Sequence, residues 1–251
     1  MPLDISRVRR ALPEHRIEYF ESTPSTQVVA TKLAEAGVAS GTTVVADEQT
    51  AGIGRHGHSW YSEAGGGLYL SMVLYPPIEP STRPVLTLAL GLAVAEAIGR
   101  VSGVTCDLRW PNDVMIHERK AAGILVQLAG NAAVAGIGVN VNQEEFPPEI
   151  AHLATSIRIA TGQSYDRADL LIALLQSANG FSKMLNEAGK EAIFAAFVRA
   201  SSYTKGKRVK VDMGDRQIEG ITVGLDDFGF LRVLKADGKV ETILAGGVRP
   251  A

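Results

Sequence analysis

The stretch Gln49-Thr-Ala-Gly-Ile-Gly-Arg-His-Gly-His-Ser-Trp60 sets three glycines at the spacing G-x-G-x-x-G, with Arg55 among them and an indole at its end. Glycines let backbone N–H groups turn toward an anion without a Cβ in the way, and a guanidinium grips a carboxylate or phosphate through paired hydrogen bonds. A dinucleotide site needs this spacing between a strand and a helix, so that a pyrophosphate meets the helix N-terminus. A strand precedes the glycines, but HSWYSEAGGG (58–67) has no helical periodicity and runs into a second strand, LYLSMVLY (68–75). The context therefore excludes the dinucleotide reading. Two readings stay open on this segment alone: a loop that presents a cation and an aromatic between two core strands, and an ordinary surface loop with a half-buried Trp60.

A second group lies in RWPNDVMIHERKAAGILVQ (109–127), where Trp-Pro-Asn-Asp closes one strand and Lys120 opens another. Antiparallel pairing brings such ends together at one edge of a sheet. A lysine after a turn is usually a solvated charge. Apolar strand residues follow this one, so its stem can lie along the sheet with the ammonium aimed inward.

The elements that must position these groups can be read from periodicity. Ser25–Ala36 is expected to be a helix, with Thr23 and Ser25 available as caps and Gly37 to end it. Strands are expected at 41–47, 68–75, 105–110, 114–116, 122–128 and 134–140, with a hairpin at Gly130-Asn131. Helices are expected over about 83–100, capped by Ser81 or Thr82 with Pro84 in the first turn, over 169–188, and near 191–200. From Lys207 the texture changes to short strands split by turns about ten residues apart, which suggests a small β-barrel of about five strands. The expected class is α+β, a mostly antiparallel mixed sheet flanked by helices, with domains at 1–202 and 203–251.

Composition narrows the function. A net charge of −2 over 251 residues gives no global basic field for nucleic acid or a membrane surface. The single Cys106 excludes an intramolecular disulfide and, with five scattered histidines, leaves no zinc-type cluster. The N-terminus lacks a signal-peptide core and no run of about 18 uninterrupted apolar residues occurs, so a cytoplasmic protein without a membrane span is expected.

Five motifs together resemble the biotin–protein ligases: Ser25-Thr26-Gln27, the Gln49–Trp60 loop, Trp110-Pro-Asn-Asp113, Lys120-Ala-Ala-Gly-Ile-Leu125 and Gly136-Ile-Gly-Val-Asn-Val141. The resemblance spans nearly the whole chain, including the small terminal barrel. It implies a catalytic domain like that of class II aminoacyl-tRNA synthetases followed by an SH3-like barrel. It also implies an ATP-dependent ligase that forms biotinyl-5′-AMP and passes biotin to one lysine of a biotin carboxyl carrier domain. Lipoate–protein ligases and octanoyltransferases are the nearest rivals, and a non-catalytic biotin sensor is another; retention of Arg55 and Lys120 speaks against the sensor.

By that resemblance Lys120 and Arg55 stabilise the charge shared by the biotin carboxylate and the α-phosphate, with Asn112 and Asp113 as further catalytic residues. Asp113 is read as orienting or deprotonating the carrier lysine, or as merely capping its turn. Ser25, Thr26, Gln27, Gln49, Ile53, Gly54, Gly123 and Gly138 are implied around biotin, and Trp60, Asn112 and Asn140 around ATP. Mg²⁺ is expected with ATP, with no ligand set legible.

The departures are Gln27 for the commoner Asn, Arg109 for Lys, and Ile53 for a loop arginine, which leaves Arg55 as the loop's only permanent cation beside His56 and His58. The leader before Ser25 is too short for a helix-turn-helix, so no DNA binding is expected. A homodimer is possible through a sheet edge, with Val134–Val141 as the candidate strand.

Overall fold

A computed structural model describes residues 2–76, 84–214 and 216–251. Its first sheet opens with a parallel pair, the only parallel pair of named strands among the described residues: β1 (Ile17–Thr23) and β2 (Thr43–Gln49), joined across the helix α2 (Thr26–Glu35). The other pairs, made by β3 (Gly67–Leu74), β4 (Asp107–Arg109), β5 (Asp113–Ile116), β6 (Arg119–Ala129) and β7 (Ala132–Asn140), are antiparallel. The strand order is β1-β2-β3-β7-β6-β5-β4. β7 therefore lies at the centre, hydrogen-bonded to β3 and β6 on its two sides, and has no free edge to offer a partner. That overturns Val134–Val141 as a dimer strand; the outer strands are β1 and β4.

Tight hairpins join β5 to β6 and β6 to β7. Ile116 pairs with Arg119 around His117 and Glu118, both in the left-handed region (φ 47° and 62°), the backbone that a two-residue primed turn requires. Gly130 takes φ 60° in the expected hairpin between β6 and β7.

Two helices cover one face of the sheet. α3 (Pro84–Ser102) packs along α6 (Arg167–Arg199), and the two share one core with Leu68, Leu70, Ala122, Ile124, Ile137 and Val139 of the sheet. α3 is long and apolar enough to cross a membrane by length and composition alone, yet Val85, Leu88, Ala93 and Ile98 on it are buried in this core. The cap expected at Ser81 or Thr82 lies outside the described residues. α6 is interrupted at Gly189, whose φ of 78° and ψ of 177° are not helical, so it is two helices meeting at a kink, as the expected segments over 169–188 and near 191–200 require.

The opposite face carries α2, whose Ala30 and Ala34 pack on Val44, Val73 and Val134. Three short helices complete this part: α1 (Ile5–Ala11), α4 (Pro148–Ala151) and α5 (Ile157–Thr161). Neither α1 nor β1 was expected from sequence. Arg7 of α1 is pinned to Asp166 and Asp169 at the start of α6.

The remaining strands, β8 (Lys205–Asp212), β9 (Gln217–Leu225), β10 (Leu231–Leu234), β11 (Val240–Ile243) and β12 (Gly247–Pro250), form a separate antiparallel sheet ordered β11-β10-β9-β8-β12. It docks against the first sheet through Trp110, whose indole N–H donates to the carbonyl of Gly229 at 2.9 Å. Gly229 sits at φ 85° with the Phe194 ring where a Cβ would be, 2.7 Å away.

Candidate active site

Strand alternation lays the floor of the site. On β3 and β7 the residues Leu70, Ile137 and Val139 face the helical core, so Ser71, Gly136 and Gly138 face the α2 side. Register sets Gly138 beside Gly123 and Gly136 beside Ser71, leaving a shelf with almost no side chains. A Cβ at Gly136 would stand 2.6 Å from Gln27 Oε1, and one at Gly138 would stand 2.4 Å from the Trp60 indole. The shelf is bare because other side chains lie on it.

At one end is a buried polar cluster. Ser25 starts α2 in extended backbone but makes no side-chain cap bond, and its buried hydroxyl has no partner. Thr26 donates from its backbone N–H to Gln49 Oε1 at 2.9 Å, and its hydroxyl lies 3.0 Å from the same oxygen and 2.9 Å from Ser71 Oγ. Gln49 Nε2 donates to Ser62 Oγ at 2.9 Å. Ser71 Oγ donates to Gln27 Oε1 at 3.1 Å, and Gln27 Nε2 donates to the Val134 carbonyl and to Gln127 Oε1, each at 3.0 Å.

At the other end are the cations. Between β5 and β6 the register slips, pairing Val114 with Ala122 but Met115 with Lys120, so Ala121 is an extra residue that re-aims the strand start. The displaced backbone of Lys120 bonds instead to a neighbouring segment: its N–H to the Leu153 carbonyl at 2.8 Å, its carbonyl to the Thr155 N–H at 2.9 Å. Lys120 Nζ then stands 2.6 Å from Asp113 Oδ1 and 5.3 Å from the centre of the Trp60 ring. Arg109 reaches the other Asp113 oxygen with Nη2 at 2.7 Å and Nε at 3.2 Å.

Burial alone would raise the Asp113 carboxyl, but the charges of Lys120 and Arg109, with their hydrogen bonds, outweigh it and hold it below the usual carboxylate range. Arg55 donates from Nη1 to Asn112 Oδ1 at 2.6 Å. Burial pushes its guanidinium below its ordinary value, against the opposing field of Asp113.

The glycine-rich loop is a folded clip. Gly54 N–H bonds to the His58 carbonyl at 2.7 Å, His58 N–H to the Arg55 carbonyl at 3.1 Å, and Trp60 N–H to the Gly52 carbonyl at 2.9 Å. Gly52 permits the last contact, since a Cβ there would lie 2.5 Å from the Trp60 carbonyl oxygen. The clip turns Arg55 toward the cavity and leaves His56 and His58 exposed.

One cavity is lined by Ser25, Thr26, Gln27, Gln49, Ile53, Gly54, Arg55, Trp60, Asn112, Lys120, Gly123 and Gly138. The two cations from distant parts of the chain thus meet in one place. Two expected residues stand apart from it. Asn140, expected at a phosphate, is 4% exposed and spends its Nδ2 on the carbonyls of Thr155 (3.0 Å) and Lys120 (3.4 Å), so it braces the lysine's backbone. Asp113 lies behind Lys120 and Asn112 with both oxygens committed to cations. Trp60, expected on adenine, has its indole on the glycine shelf at Gly123 and Gly138.

Sequence reading missed Ser71 and Gly136 in the lining. The available signal was a hydroxyl at an otherwise apolar position of LYLSMVLY. Cys106 is core packing, its thiol pushed up to about 12 by burial and by the neighbouring Asp107. Among the described residues no group of three or more His, Cys, Asp or Glu could hold a metal ion.

Residues 19–144 match the biotin/lipoate A/B protein ligase family, and residues 204–248 match the biotin protein ligase C-terminal domain. The chain is 34% identical to the biotin–[acetyl-CoA-carboxylase] ligase of Mycobacterium tuberculosis, over 83% of this chain and 78% of that protein. It is 32% identical to the ligase of the same name from Paracoccus denitrificans, over 83% and 90%. Among solved structures, biotin protein ligase from Aquifex aeolicus in complex with biotin and ATP superposes with a TM-score of 0.85 at 34% identity, covering 94% of this chain and 99% of that one.

Proposed function

The chain belongs to the biotin/lipoate A/B protein ligase family and is a biotin–protein ligase, and from that premise we propose which of its residues do the work. The reaction joins the biotin carboxylate to the α-phosphorus of ATP, releasing pyrophosphate. A carrier lysine then attacks the acyl carbon and AMP leaves. Both steps gather negative charge around one phosphoryl–acyl junction, where fixed cations lower the barrier without reorganising water.

The observation that carries the residue assignment is the convergence of Lys120 and Arg55 on one cavity whose far end is the Ser25–Thr26–Gln49 polar cluster. The polar end takes the ureido ring, and the glycine shelf with Trp60 walls the apolar part of biotin. Lys120 and Arg55 face the carboxylate and then the α-phosphate. Asn112 orients Arg55. Asp113 anchors Lys120 rather than acting as a base: a carboxylate with a lowered pKa and two cationic partners is a poor acceptor for a lysine proton.

Bound with ATP, Mg²⁺ would neutralise phosphate charge and would be held by phosphate oxygens and water, since among the described residues no carboxylate cluster is available. The acceptor is a biotin carboxyl carrier domain. A homodimer built by strand pairing is open to β1 and β4, the outer strands. Incubation with ATP, biotin and a carrier domain should label the carrier; Lys120→Ala should lower adenylate formation by about 10²-fold, and lipoate in place of biotin should give no product. Wild-type adenylation by the Lys120 variant refutes the assignment.

A further inference from the structure

The polar wall contains a row of four oxygens, three of them on buried residues and Gln49 half-buried: Gln27 Oε1, Ser71 Oγ, Thr26 Oγ1 and Gln49 Oε1, separated by 3.1, 2.9 and 3.0 Å. Each gap is a hydrogen-bond distance and needs one proton. The orientation of both end amides is set by backbone. Gln27 Nε2 faces the Val134 carbonyl, which can only accept, so its oxygen must point at Ser71. Gln49 Oε1 receives the Thr26 backbone N–H, which can only donate, so its nitrogen must point at Ser62. Both ends of the row are therefore acceptors, and only the Ser71 and Thr26 hydroxyls carry protons. Two protons serve three gaps.

We infer that this wall is one donor short, and that Ser71 and Gln27 are positioning residues which turn Thr26 and Gln49 into an acceptor site for a ring N–H of the ligand. Ser71 is committed to Gln27 Oε1, so the Thr26 proton satisfies either Ser71 or Gln49 and leaves one close oxygen pair without a hydrogen. An N–H arriving at Thr26 Oγ1 or Gln49 Oε1, both on the cavity wall, supplies the missing donor. The unpartnered Ser25 hydroxyl beside them can donate to a carbonyl. The pair together fits a ligand that presents C=O and N–H on one edge, as a cyclic urea does, and disfavours one without an N–H. A buried polar group left unmet commonly costs the equivalent of about tenfold or more in affinity.

This inference rests on the biotin reading, and the test separates the two. Adenylate formation is measured with biotin and with its two ring-oxygen analogues, in which one or the other ureido N–H is replaced by O. The wild-type enzyme should prefer biotin to one analogue by at least about tenfold in kcat/KM. Ser71→Ala removes the competing demand on the Thr26 proton. Gln27→Met removes the acceptor that holds the Ser71 proton. Either change should shrink that preference severalfold, through KM for biotin with KM for ATP unchanged. Equal losses on biotin and analogue in both variants, or no wild-type preference, overturn the inference while leaving ligase activity intact. Absence of any biotin adenylate from the wild-type protein would instead refute the biotin reading itself.

Discussion

Replacing Asp113 by Asn separates anchoring from base catalysis. The carboxylate holds Lys120 at 2.6 Å and Arg109 at 2.7 Å, with side chains only 16–29% exposed. At an effective dielectric of 20, one charge pair at 2.6 Å attracts by about 6 kcal/mol before desolvation. Removing one partner of a buried pair costs 3–5 kcal/mol, and the residual exposure favours the low end, about 3 kcal/mol. For a chain of this size that corresponds to a fall in Tm of roughly 6–12 °C.

The Asp113 carboxyl is depressed in the fold, so its stabilisation is complete above the unfolded carboxyl pKa of about 3.9 and is lost as pH falls through the lower folded value. The gap between wild type and variant should be flat from pH 5 to 8 and close below about pH 4. With its anchor gone, Lys120 is misplaced for the first step, so single-turnover adenylate formation should fall by about 10–10²-fold. Transfer of preformed biotinyl-5′-AMP to the carrier should fall no more than that. Wild-type adenylation with a selective loss of transfer would refute the anchoring argument and restore Asp113 as the base.

Gly138→Ala places a Cβ about where the Trp60 indole lies, so the ring must leave the shelf; KM for biotin should rise about tenfold or more, with a changed Trp emission spectrum as the check. Asn140→Ala strips the clamp from the Lys120 and Thr155 carbonyls, costing about 1–3 kcal/mol in urea unfolding and slowing adenylation, with KM for ATP unmoved. A rise confined to KM for ATP would return Asn140 to a phosphate role. Trp110→Phe leaves the Gly229 carbonyl unpaired beneath the barrel; stability should fall by about 2 kcal/mol, and adenylation should slow because the next residues carry Asn112 and Asp113.

What was legible in the sequence follows from how local each signal is. Lys120 and Arg55 are found by charge and glycine spacing within single segments, and antiparallel pairing is enough to suggest that the strand ends near Lys120 and Asp113 meet. Strands β3 and β7 show as apolar runs because both of their faces are covered, and β6 shows through its buried Ala121, Ala122 and Ile124. β1 does not: only Ile17 and Thr23, at its ends, are buried, and the residues between them lack alternation. The bracing role of Asn140 was illegible for a different reason. It depends on the bulge at Ala121 and on a parallel bridge from Lys120 to Ala154, neither of which has a sequence signature. Trp60 was assigned to the adenine of ATP by the resemblance and by the stacking chemistry of an indole. Its actual seat requires knowing that Gly123 and Gly138 are register partners, so that two absent side chains make one gap wide enough for an indole.

The loss of a second loop arginine at Ile53 becomes intelligible at the level of the whole cluster. Arg55, Lys120 and Arg109 face a single carboxylate, Asp113, so these four groups carry two surplus positive charges before any substrate enters. Desolvation already pulls the Arg55 pKa down, which means its charged form is held at a cost in the cavity wall. An entering carboxylate or phosphate relieves that cost, and the relief grows as charge accumulates at the phosphoryl–acyl junction. A further guanidinium at 53 would add to the repulsion within the clip. Backbone bonds within residues 52–60 tie the clip to itself. Salt should therefore weaken substrate capture more than it loosens the loop, since screening acts on the charges and leaves the amide bonds alone.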